Sequence, residues 1–178
     1  MPTLGPLVEG HLLILPKKHY FSYACISRLE YKEFNYVKMV VKNLLTNVYY
    51  RPIFFEHGSM SKTLKGGSAY DHAHMHVIPL SIGIDINKEL SHLGFAPRKI
   101  SFMEELTGQK ERCMPYLFFE DQNAEKTICD ALAVESQFIR KLLATRIGKH
   151  KNMYWQQDLN IELIASTLKK LKIALKEV

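Results

Sequence analysis

Residues 72–80 read His72-Ala73-His74-Met75-His76-Val77-Ile78-Pro79-Leu80, imidazoles at every second position running into an apolar tail. Side chains alternate between the two faces of a strand. The spacing therefore predicts a strand with His72, His74 and His76 along one face and Ala73, Met75 and Val77 packed on the other. Three imidazoles, each with an unperturbed pKa of about 6.5, suit nucleophilic attack, proton transfer or metal ligation near neutral pH. Same-face neighbours on a strand lie about 6.5–7 Å apart, so rings flanking His74 reach the substituents of an atom that His74 attacks.

Upstream, the Gly- and Ser-bearing segment from Gly58 to Ser68 reads as a loop, preceded by a short strand at Ile53-Phe54-Phe55. A long helix over about 28–50 comes before that strand. Ser27-x-x-Glu30 has the form of a capping box, Leu29, Phe34, Val37, Val41, Leu44, Leu45 and Val48 recur at helical spacing, and Arg51-Pro52 is the stop. His11 to Leu15 is an apolar run closed by Pro16-Lys17-Lys18-His19, which reads as a buried strand.

Downstream, short helices are predicted at Ile86 to Leu93 and after Ser101-x-x-Glu104, and a strand at Met114 to Phe119. A long helix is expected over Thr127 to Ile147, stopped by Gly148, and Asn160 is placed to cap a last amphipathic helix carrying Leu163, Ile164, Leu168, Leu171 and Leu175. No repeat, low-complexity tract or linker is visible in the sequence. The sum is one α+β domain over residues 1–178, a mostly antiparallel sheet with a long helix and a helical C-terminal extension.

Composition fits a soluble globular chain: 178 residues, 47% apolar and 24% charged. No apolar run approaches the roughly 20 residues of a membrane helix, and Met1-Pro2-Thr3-Leu4-Gly5 does not open like a signal peptide, so a cytoplasmic location without membrane contact is expected. Cys25, Cys113 and Cys129 have no paired spacing and read as reduced core residues. The net charge of +6 favours anionic partners without identifying nucleic acid, and the C-terminal lysines read as a solvated helix face.

Gly10-His11-Leu12-Leu13-Ile14-Leu15-Pro16-Lys17-Lys18-His19 resembles the strand that precedes the long helix in the histidine triad (HIT) family of nucleotide hydrolases and transferases, and His72-x-His74-x-His76-x-x resembles that family's defining motif. The similarity covers about residues 4–80, leaving 81–178 as an extension. It implies a HIT-like fold and a metal-free, cofactor-free reaction in which His74 attacks the α-phosphorus of a nucleotide to form a nucleotidyl-histidine that water cleaves. His76 would hydrogen-bond the phosphate or leaving group, His72 would orient His74, and His11 would support the triad from the neighbouring strand.

The approach Lys65-Gly66-Gly67-Ser68-Ala69-Tyr70 is similar to the family's Gly-rich loop, with Gly67 near the phosphate and Ser68 as the hydroxyl that meets the leaving group, although a gapless match puts Ala69 there. Glu56, in Glu56-His57-Gly58, falls where members carry an Asn- or acid-bearing segment beside the phosphate, and is expected to hold an imidazole. Asp71 is expected to face away from the histidines. The family's ribose-binding position falls near Thr3, because the chain begins almost at the matching strand. This implies either a differently built base pocket or an incomplete start.

In the extension, Gln137, Arg140 and Lys141 lie close on one helix, where they could present cations to a substrate but read first as solvent-exposed, and Tyr154 and Trp155 could stack on a base but read first as packing residues. The implied substrate is a nucleotide-type small molecule; phosphoramidates, dinucleoside polyphosphates, nucleotide sugars, adenylylated nucleic acid and capped RNA fragments all fit. Members often form homodimers through the long helix and an edge strand, which the apolar helix permits. Two other readings stay open on the residues alone: a metal-dependent enzyme using the histidine row as ligands, and a non-catalytic nucleotide- or RNA-binding adaptor.

Overall fold

Two apolar runs ending in Phe-Phe-Glu lie side by side at the centre of the sheet in the computed structural model, which describes residues 1–176. They belong to β2 (Pro52–Gly58) and β5 (Tyr116–Glu120). With β1 (Leu12–Ile14), β3 (Met75–Pro79), β4 (Arg98–Ile100) and β6 (Lys126–Asp130) they form a six-stranded sheet in the order β1-β3-β2-β5-β6-β4, antiparallel at every pairing. Among the described residues five α-helices accompany it: α1 (Arg28–Val48), α2 (Ile86–His92), α3 (Thr107–Glu111), α4 (Phe138–Arg146) and α5 (Ile161–Ala174). The α+β, antiparallel architecture expected from the sequence is present. Among the described residues no helix is long and apolar enough to cross a membrane.

Strand alternation divides the core into two layers. Phe54, Val77, Phe118 and Ile128 pack with Phe34 and Leu45 of α1 and Leu171 of α5, while Ile53, Phe55, Ile78, Leu117, Phe119 and Cys129 pack with Leu90 of α2 and Ile139 and Leu143 of α4. The first layer starts from a capping box: Glu30 N donates to Ser27 Oγ at 3.3 Å and Ser27 N to Glu30 Oε2 at 2.9 Å. Lys38 of α1 reaches down to the Glu120 carboxylate at the end of β5.

The sheet contains a repeat that the sequence does not display. In chain order β4, β5 and β6 occupy the places of β1, β2 and β3, turned about the Phe55–Phe119 pair, where Phe54 faces Glu120 and Glu56 faces Phe118. Phe-Phe-Glu is shared by the central strands, but Leu13 opposite His76 in the first half becomes Lys99 opposite Thr127 in the second. The side chains have diverged where the backbone pairing has not. As a result β2 is paired on both sides, and the sheet's outer edges are the short β1 and β4. Met1 covers β1 through its carbonyl, which accepts from Leu13 N at 2.7 Å, and Arg98 and Lys99 place charge on β4.

Several sequence expectations are corrected. Thr127 to Ile147 is not one helix: Lys126–Asp130 is β6, and helix resumes only at Phe138. Asp121 turns the chain back from β5 by accepting Asn123 N and Glu125 N, each at 2.8 Å, and the β-branched Thr127 and Ile128 then pair with β5. Glu105, not Glu104, caps the segment after Ser101, its Oε1 accepting Ser101 N and Phe102 N. Asn160 stands before α5 with φ 47° and makes no side-chain cap, its amide donating instead to Pro6 O. Of the cysteines, Cys129 is buried, Cys25 half-buried and Cys113 exposed, so only the first belongs to the core.

Glu56 lies on the α1 side of β2, between residues that face the other way. Its Oε1 accepts Tyr23 N at 2.9 Å and its Oε2 accepts the Tyr116 hydroxyl at 2.5 Å. It holds no imidazole, because strand alternation gives the histidine side to Phe55 and His57. Burial pushes the Glu56 carboxyl up to about 8 from 4.5, with the two hydrogen bonds pulling the other way. The folded state then holds a proton that the unfolded chain has released above pH 4.5, so stability contributed at low pH is lost as pH rises toward 8. Between pH 7 and pH 8 the wild type should lose roughly 1 kcal/mol of stability from this group, and Glu56→Gln should remove that loss, as read from denaturant unfolding at each pH.

Candidate active site

The end of β3 is set by its neighbours. β1 pairs only as far as Ile14 with Met75, and beyond it Pro16 has no amide to continue a ladder. His76 is therefore within β3, whereas His72 and His74 lie in the irregular segment before it, contrary to the expectation of three histidines on one regular strand. The three rings still converge, all lining one cavity of about 280 Å³. His74 and His76 have ring centroids 5.1 Å apart.

Hydrogen bonds assign a tautomer to each ring. His74 Nδ1 lies 2.8 Å from the His72 carbonyl, which only accepts, so Nδ1 carries the proton and Nε2 holds the lone pair. Leu7 N donates to His11 Nδ1 at 3.2 Å, and His11 Nε2 lies 3.0 Å from His76 Nδ1. The backbone amide thus forces the proton of neutral His11 onto Nε2, which donates to His76 Nδ1 and leaves an N–H on His76 Nε2. The His76 ring is fixed flat on Phe55, centroids 4.4 Å apart and planes 7° apart. His72 Nε2 donates to Pro16 O at 2.9 Å. One nitrogen with a lone pair and one N–H donor are thereby offered by adjacent residues.

Burial favours the neutral form of His11, His74 and His76. It lowers the pKa of His74, opposed by the His72 carbonyl, and lowers His11 and His76 well below the usual range, with Arg140 adding to both. His57, on the triad side of β2, also lines the cavity, and burial takes it down to about 3. Its Nε2 accepts Ile139 N at 3.1 Å and so ties the start of α4 to the sheet. The sequence carried a signal for His57 in its shared parity with Phe55.

The Gly-rich loop closes the other side. Gly67 and Ala69 line the cavity, and the Gly67 carbonyl accepts Gln137 N at 2.9 Å. Ser68 is turned away, its hydroxyl donating to Tyr70 O at 2.8 Å, so Ala69 and not Ser68 meets the cavity. Asp71 sits outside the cavity lining, paired with Lys65 at 3.1 Å. Gly67 has φ +81°, and a Cβ there would stand 2.8 Å from the Glu135 carbonyl and 3.1 Å from His57 Cδ2. Gly67→Ala should cost about 1–3 kcal/mol of stability in thermal unfolding, from strain and displacement of backbone.

The remaining wall comes from both chain ends. Met1 to Leu4 contribute one side, with Thr3 turned to its own backbone through a 3.2 Å bond to Leu4 O. Tyr70 and Trp155 contribute another, their rings 5.9 Å apart. Gln137 and Arg140 also line the cavity, and Arg140 is buried rather than solvated; Lys141 is outside the lining, half-buried and paired with Glu135 at 2.5 Å. Among the described residues no group of three or more His, Cys, Asp or Glu side chains is disposed to hold a metal ion. Compared with known proteins, the chain matches no family model and no curated protein sequence.

Proposed function

We propose that this protein has a histidine-triad-like fold and is a nucleotide hydrolase or nucleotidyl transferase that works through a nucleotidyl-histidine on His74. One observation carries the reading: His74 Nδ1 is committed to the His72 carbonyl, which leaves a neutral ring with its Nε2 lone pair at the cavity. A neutral imidazole is a competent nucleophile at pH 7, and its bond to phosphorus is labile enough to turn over. The N–H left on His76 Nε2 donates to a phosphate oxygen, and Gly67 lets the loop approach closely. The second half of the sheet lacks these histidines and serves as the support for β2.

Incubation with adenosine phosphoramidate and with diadenosine triphosphate, chelator present, tests the reading. Intact-mass measurement after a rapid quench should find a nucleotidyl adduct on the wild type and none on His74→Ala. Turnover without any adduct, or an adduct that survives His74→Ala, would overturn it.

A further inference from the structure

Arg140, one turn into α4, is a cation that the protein does not neutralise. It is 3% exposed. Its Nε donates to the carbonyls of Asn152 at 3.1 Å and Met153 at 3.2 Å, and its Nη2 to those of Gly5 at 2.5 Å and Asn152 at 2.7 Å. Nη1 has no protein acceptor among the described residues, and none of the ion pairs among them involves Arg140. Burying a guanidinium without an anion is costly, and here backbone carbonyls hold it against the cavity that contains the triad. Gln137, three residues earlier, lines the same cavity, with its Oε1 buried and unpartnered.

We propose that Arg140 binds a phosphate of the leaving group, so that the preferred substrates are nucleotides whose α-phosphate is joined to a further phosphate. The assignment rests on the nucleotidyl-histidine reading. The planar fork is held by its three carbonyl partners, and Nη1 is left to meet an anionic oxygen in a fixed direction. The side-chain amide NH2 of Gln137, which lines the same cavity, is the group that could donate to such an oxygen, while its Oε1 can only accept.

The chemistry agrees with an anionic leaving group. His74 Nε2 gives its lone pair to the α-phosphorus; the bond from phosphorus to the bridging oxygen breaks, and its electron pair leaves on the departing phosphate. The attacking ring becomes cationic, its Nδ1 proton still held by the His72 carbonyl. A phosphate departs as an anion without taking a proton, whereas an amine needs one, and His11, His57, His74 and His76 are all held neutral by burial. Water then adds to phosphorus, the ring leaves as neutral imidazole, and one proton is released.

Two measurements test the proposal. Calorimetric titration with inorganic pyrophosphate should show binding to the wild type that falls at least about tenfold in Arg140→Met, the variant's fold being checked by circular dichroism. The wild type alone should turn over diadenosine triphosphate with kcat/KM at least about a hundredfold above that for adenosine phosphoramidate. No pyrophosphate binding by the wild type, equal binding by a folded Arg140→Met, or an equal or reversed substrate preference each overturns the assignment. If the wild type turns over neither nucleotide, the nucleotidyl-histidine reading fails, while the titration still decides whether Arg140 holds phosphate.

Discussion

His74→Ala is expected to lower kcat/KM for a nucleotide substrate by on the order of 10⁴-fold or more, without loss of the fold. The size follows from what is removed: the proposed nucleophile, a cavity-lining ring whose Nδ1 is committed to the His72 carbonyl and whose Nε2 keeps its lone pair. His76 cannot replace it, because His11 imposes an N–H on its Nε2, nor can His57, whose Nε2 is occupied by Ile139 N. His72→Ala should cost less, since the His72 backbone carbonyl that orients His74 survives that change. The pH profile supplies an independent check. Burial lowers the His74 pKa, so the neutral nucleophile persists as pH falls, and the acid limb of kcat/KM should lie below pH 6.5. A His74→Ala variant within about tenfold of the wild type would remove His74 as nucleophile.

How much of this was legible in the sequence differs residue by residue. The capping box at Ser27 and Glu30, the proline stop after His11 to Leu15 and the histidine spacing act within a few residues of chain, and each found its element or its site. Glu56 and His57 were separable by parity alone, yet motif position favoured the wrong one of the pair for a place at the cavity. The burial of Arg140 was not legible. A cation on an amphipathic helix normally faces water, and only contact with Gly5, more than 130 residues away in sequence, together with Asn152 and Met153, buries it. Lys126 to Asp130 failed for a related reason: a short apolar run fits helix or strand, and β5 decides between them.

The two halves of the sheet share a pairing pattern but not the side chains of the candidate site. The central pairing needs large apolar side chains at both Phe55 and Phe119, and both halves keep them. Beyond that pair the halves answer to different demands. His76 stacks on Phe55 at the cavity, while Thr127 in the corresponding place bonds Asn87 at 3.0 Å, on a surface where Lys99 pairs with Glu125. One half thus carries buried, neutral histidines against an uncompensated arginine, and the other carries exposed charges that satisfy each other.

That concentration of neutral histidines should make the fold acid-labile. His11, His57, His74 and His76 all have pKa values lowered by burial, His57 to about 3 from 6.5. Below pH 6.5 the unfolded chain binds protons at these positions that the folded chain refuses, so the stability present above pH 6.5 is lost as pH falls. Glu56 acts oppositely, its folded form holding a proton that the unfolded form lacks above pH 4.5. Four histidines act in one direction against one glutamate in the other, so the net effect is a loss of stability as pH falls through 6 toward 5. Urea unfolding at intervals from pH 7 to pH 5 reads the slope directly. His57→Gln, which keeps an acceptor for Ile139 N, should remove about one proton's share, roughly 1.4 kcal/mol per pH unit, so that the variant gains on the wild type as the solution is acidified. A wild-type stability that stays flat from pH 6.5 to pH 5 would mean that these histidines already carry charge in the folded state, and would remove the neutral nucleophile together with the acid lability.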